Sequence, residues 1–206
     1  MSTTTTEAVK ALKEVAPIPD VDQNILKRWS PRAFDDRAVS STDLKKMFEA
    51  ARWAASSCNE QPWRFLVGHR GDPTYRKIFE SLAEFNQAWA KNAPVLVLSV
   101  GKKTFTQNGN PNHYALHDTG AATANLALQA TVLGLHTHSM GGFDREKIRV
   151  AFQIPADYEI GAVTAIGYFG NLDALPDSLK TMETSPRGRK PLNEFVFSEW
   201  NQPAQI

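Results

Sequence analysis

A single cysteine, Cys58, stands among 206 residues. No intrachain disulfide can form, and a zinc site built from several thiolates is excluded. A charge surplus is missing as well. The 23 basic and 22 acidic residues nearly cancel, so the chain lacks the basic excess that nucleic-acid phosphates demand. Long apolar runs are absent: the longest, residues 93–100, falls far short of the ~20 residues that cross a bilayer. The first residues are polar, with no apolar signal-peptide core behind them. The expectation is a cytoplasmic protein with neither membrane nor nucleic-acid partner. Several catalytic signatures are missing too: a glycine-rich dinucleotide fingerprint, a phosphate loop ending in Gly-Lys-Ser/Thr, His-Glu-x-x-His, and a Gly-x-Ser-x-Gly nucleophile elbow. His113 with His117, and His136 with His138, are too few ligands for one metal, so no metal is expected. Cys58 has no evident base beside it and reads as a small buried thiol.

What is present is an ordinary globular composition, 42% apolar and 22% charged, at a length that fits one domain. Residues 1–19 mix a threonine run with Pro17 and Pro19 and read as a flexible arm with a helical piece near 7–15. The domain proper runs over 20–206, without repeat or linker. A short helix is expected over 21–29 and a turn at Ser30-Pro31-Arg32. Ser40, with Asp43 three residues on, opens a helix whose stripe is Leu44, Met47, Phe48, Ala51 and Ala55. Asp72-Pro73 opens another, with Tyr75, Ile78, Phe79, Leu82 and Phe85 on one face. Strands are expected over 65–67, 95–100 and 160–168, with a shorter one leading to Gly141-Gly142. Residues 118–133 are small or apolar nearly all round, the pattern of a buried helix, and Gly134 ends it. Asp144 caps a further helix that stops before Pro155. Helices interleaved with about four short strands mean an α+β or α/β domain.

Three segments carry chemistry. In Arg28-Trp29-Ser30-Pro31-Arg32-Ala33-Phe34, two guanidinium forks and a hydroxyl surround a turn, donors suited to a phosphate or a planar acceptor edge. Taken alone, the pair reads equally as solvated surface charge. In Ser56-Ser57-Cys58-Asn59-Glu60-Gln61-Pro62-Trp63, hydroxyls and amides cluster between helix and strand. They offer donors and acceptors together, or simply cap a turn. Ser139-Met140-Gly141-Gly142-Phe143-Asp144 lets backbone approach a flat ligand, and the later Arg187-Gly188-Arg189-Lys190 run adds charge.

In this order the segments, with Asn86-Gln87 ahead of Ala93-Pro94-Val95, resemble the nitroreductase family of FMN-dependent oxidoreductases from about residue 24 to 198. The resemblance implies an α+β fold: a central, mostly antiparallel sheet of four or five strands flanked by helices, in an intertwined homodimer whose C-terminal tail reaches the partner. It implies that FMN is held by Arg28, Trp29, Ser30 and Arg32, with Arg28 toward the phosphate and Arg32 toward the pyrimidine. Ser56, Ser57 and Asn59 would come from the second subunit. Asn86 would approach the ring, Met140, Gly141 and Gly142 would run along it, and Arg187 and Arg189 would complete the phosphate site. Family members often carry Lys at the positions of Arg32 and Arg187. NADH or NADPH would reduce the flavin, and a small aromatic acceptor, a nitroaromatic or quinone, would take the electrons in ping-pong order. The flavin carries that chemistry, so no catalytic side chain is expected. Enone reduction, dehalogenation, oxidase activity, or a non-catalytic flavin sensor or store are the alternatives on the same scaffold.

Overall fold

The computed structural model describes residues 6–206, so Met1 to Thr5 of the expected arm lie outside the described residues. The remainder is mixed α+β. Four strands, β1 (Trp63–His69), β2 (Val95–Lys102), β3 (His136–Met140) and β4 (Tyr158–Gly167), form one sheet in the order β1-β2-β4-β3. Every neighbouring pair is antiparallel. β2 and β4 occupy the middle and are apolar on both faces, as central strands must be. β3 therefore lies at an edge, where its outer flank is open to a ligand or partner.

Eight helices accompany the sheet among the described residues: α1 (Thr6–Lys13), α2 (Gln23–Lys27), α3 (Ser41–Arg52), α4 (Pro73–Ser81), α5 (Glu84–Ala90), α6 (Ala115–Val132), α7 (Arg145–Phe152) and α8 (Asp177–Thr184). Three begin on the side-chain caps the sequence offers. Ser40 Oγ accepts from Asp43 N, Asp72 from Tyr75 N, and Asp144 from Lys147 N; each such cap is worth about 1 kcal/mol. α3 and α6 cover one face of the sheet through Leu44, Met47, Ala122, Leu126 and Ala130. The other face packs Tyr75, Ile78, Trp89, Ile148 and Leu179.

Four expectations need correcting. Residues 6–13 do not fray: α1 docks with Val9 fully buried, and Lys13 Nζ donates to Ser185 O at 2.5 Å. The helix expected to carry Leu82 and Phe85 on one face ends at Ser81. Leu82 turns extended (ψ 145°) to bridge Phe143, Ala83 N donates to Gly142 O, and Phe85 belongs to α5, half exposed. A tertiary backbone contact thus overrides a continuous side-chain period. Cys58 is exposed rather than buried, in a left-handed conformation (φ 52°) it shares with Asn59 and Gln61. Such a conformation is uncommon for Cys58 and Gln61 and better tolerated by Asn59. The helix near 21–29 shrinks to α2, because Arg28 already turns extended.

α6 starts earlier than its apolar run, at Ala115. It leaves Leu116 and Val132 exposed, as are Trp53, Phe195 and Trp200 at its surroundings and in the tail. The tail itself closes as a small hairpin, β5 (Phe197–Glu199) with β6 (Gln202–Pro203). Among the described residues, no helix is long and apolar enough to cross a membrane. Nor is any group of three or more His, Cys, Asp or Glu placed to hold a metal ion.

Candidate active site

Arg28, Ser30, Arg32, Arg187 and Arg189 line one cavity of about 260 Å³, together with Lys13 and Glu183. Five cations thus face a single carboxylate. Burial pulls the Arg28 guanidinium below its ordinary pKa, and Arg189 lowers it further. The same holds for Arg187, lowered by burial and then by Arg189 and Arg28. Like charges gathered with partial loss of water form an arrangement that an anion relieves. Arg32 Nε is buried and has no hydrogen-bond partner among the described residues, a second sign of a missing acceptor.

Arg28 and Ser30 also open onto a neighbouring cavity of about 490 Å³ that runs between β3 and α6. Its walls carry the hydroxyls of Thr123, Thr137 and Ser139, the apolar Ala127 and Leu128, and His138. The five-residue edge strand, about 15 Å long, leads from the cationic end toward Met140, Gly141 and Gly142. There Asn86 Nδ2 donates to Gly142 O at 2.9 Å, and a Cβ on Gly142 would stand 2.9 Å from that same nitrogen. Its neighbour Gln87 turns away, donating to Phe79 O and Leu82 O. A phosphate at one end, a hydroxyl-bearing chain along the strand and a flat ring against the glycines fit this layout.

Two candidates sit differently from the sequence expectation. The Trp29 side chain is 8% exposed and packs against Val9, Leu172 and Phe169, although the residue also lines the cavity. Arg187 lines the cavity, yet its guanidinium donates to Lys13 O, Leu26 O and Arg28 O. It braces α1, α2 and the Arg28 turn as well as adding charge. A lysine carries its donors on one nitrogen and loses the reach by which Nη1 and Nη2 take different carbonyls.

Ser56, Ser57 and Asn59 line neither cavity within one chain. They form a tight turn between α3 and β1 that meets the first turn of α6, where Ser57 N donates to the buried Asp118 carboxylate at 2.9 Å. Glu60 ties that turn to the 102–113 loop by accepting from Thr106 N at 3.0 Å and Thr106 Oγ1 at 2.6 Å. Sequence reasoning missed Glu183, His138 and Lys13. Glu183 carried no signal. His138 could be read only from its alternation with His136 on an edge strand. Burial pushes both histidines down to about 4, so both rings are neutral near pH 7.

The sequence model of the Nitroreductase family matches residues 25–168. A protein of Archaeoglobus fulgidus, provisionally named NADH dehydrogenase/NAD(P)H nitroreductase, is 31% identical over 70% of this chain and 82% of its own length. A crystal structure of an oxidoreductase containing FMN superposes with a TM-score of 0.83 at 37% identity, covering 90% of this chain and 94% of the other. A Desulfovibrio desulfuricans protein solved in complex with FMN gives 0.70 at 26% identity, over 89% and 98%. The chain belongs to the nitroreductase family.

Proposed function

We propose that this chain is an FMN-dependent NAD(P)H oxidoreductase that works as a homodimer and reduces small nitroaromatic or quinone-like acceptors in ping-pong order. The observation that carries the reading is the convergence of Arg28, Arg187 and Arg189, from opposite ends of the sequence, on one cavity beside an open sheet edge. FMN, when bound, supplies the hydride exchange between nicotinamide and acceptor. The protein's part is to hold and to shield. Arg28 and Arg189 grip the phosphate, with Arg187 adding charge from behind. Arg32, which lines the same cavity and whose buried Nε has no partner among the described residues, is assigned to the pyrimidine side of the ring. Gly141 and Gly142 give the ring close backbone approach, and Asn86 fixes Gly142 from below.

A second copy of the chain completes the site. The turn bearing Ser56, Ser57 and Asn59 does not line the arginine cavity of its own chain. The exposed Leu116, Val132, Trp53 and Trp200 give such a copy apolar surface to cover. Each charge-assisted hydrogen bond to the phosphate contributes about 1.5–3 kcal/mol. Three of them supply much of the ~8 kcal/mol of a micromolar affinity.

Anaerobic mixing of the purified protein with NADH or NADPH tests the reading. Flavin absorbance is expected to bleach and to return when a quinone or nitroaromatic is added. A bound flavin that neither nicotinamide reduces would overturn the proposed cycle.

A further inference from the structure

The segment 28–34 holds two of the site's arginines, yet almost no ladder supports it. Among the described residues only Phe34 of this segment forms a bridge, to Phe169. Proline at position 31 removes one backbone donor outright. Of the remaining groups, three are taken by two side chains from distant parts of the sequence. Arg32 N donates to Glu183 Oε1 at 2.9 Å, and Ala33 N reaches the same oxygen at 3.4 Å. Pro31 O lies 2.9 Å from His138 Nδ1. A carbonyl only accepts, so Nδ1 carries the proton and the ring is the Nδ1–H tautomer.

We infer that Glu183 and His138 are positioning residues for the cofactor: they pin the peptides of residues 31–33 from opposite sides and so fix the aim of Arg28 and Arg32. The inference rests on the FMN reading above. Glu183 is 1% exposed, and a buried carboxylate on the wall of an anion site weakens that site's positive field. Two backbone donors and the Arg32 guanidinium at 4.0 Å give it a compensating task. The pinning matters because the cations repel one another. Without it the 31–33 peptides keep only the flanking Phe34 bridge and the Arg187 brace on Arg28 O, and part of the order imposed before binding is lost. Neither residue need touch the flavin for this to hold.

Flavin-free protein titrated with FMN and, separately, with riboflavin tests the inference through quenching of flavin fluorescence. Glu183→Ala removes the acceptor. His138→Phe keeps a ring but removes the donor. Each is expected to cut the preference for FMN over riboflavin about tenfold, the factor that ~1.4 kcal/mol of lost phosphate gripping represents. Glu183→Gln retains the Oε1 acceptor, and His138→Asn retains a donor near Nδ1; both are expected to restore the preference. Parallel losses for FMN and riboflavin would mean a merely collapsed cavity and overturn the inference, as would an unchanged preference in both removal variants. If Glu183→Ala does not fold, shown by its melting curve, His138→Phe with its asparagine rescue decides. Wild-type protein that binds neither flavin sinks the functional reading itself, before any variant is compared.

Discussion

His136 offers a test of the packing around the site that needs no cofactor. Its ring lies 5.4 Å from the Trp29 ring and 6.0 Å from Phe169, and burial pushes its pKa down to about 4. An unfolded chain binds the proton near 6.5. For a base whose folded pKa is depressed, the sign is fixed. Above pH 6.5 neither state is protonated and the group contributes nothing. Between 6.5 and about 4 only the unfolded chain takes up the proton, so stability falls about 1.4 kcal/mol per pH unit. The full loss is about 3 kcal/mol, an upper figure because the ring is only partly buried. His136→Phe keeps an aromatic ring and removes the titration. Urea unfolding of both flavin-free proteins isolates the effect, since shared groups cancel. One of these is the Glu183 carboxyl, raised by burial, which gains stability on protonation and opposes the histidines. Relative to the variant, the wild type is expected to lose about 2 kcal/mol between pH 6.5 and 5. A gap that does not change with pH would show a solvated His136 and refute the packing described for it.

Three further outcomes follow from contacts already described. Arg187→Lys keeps the charge but loses the fork on Lys13 O, Leu26 O and Arg28 O, and should lower stability by about 3 kcal/mol in urea unfolding. Gly170→Ala places a Cβ 2.4 Å from Asp35 N and 2.5 Å from Phe34 C, where only backbone can move. A loss of about 3 kcal/mol is expected in the same urea assay, while Gly188→Ala, with open space around it, should be near neutral. Sedimentation of the flavin-bound protein is expected to give a dimer; a monomer that keeps its flavin would contradict the shared site.

Much of this molecule could be read before its structure was known, where local chemistry dictates structure. Ser40, Asp72 and Asp144 announce three helix starts, and Gly134, at φ 71°, marks the end of α6. The paired arginines and the Ser-Ser-x-Asn turn carry their chemistry in their side chains, and the double glycine in having none, so these candidates could be named from the sequence. What stayed hidden depends on tertiary partners. The break after Ser81 comes from Leu82 meeting Phe143, which no local propensity encodes. The docking of α1 depends on Val9 finding Trp29 and Leu172. The inward turn of Trp29, the bracing by Arg187 and the buried Glu183 arise because segments far apart in sequence share one corner. A lone glutamate in an amphipathic helix gives no hint of that.

The most direct measurement is the visible spectrum of the protein as purified, with the released chromophore identified by mass. The account predicts a yellow protein that yields FMN at about one per chain, since each copy brings one complete arginine cavity. A colourless protein that takes up no FMN when it is supplied in excess would contradict it.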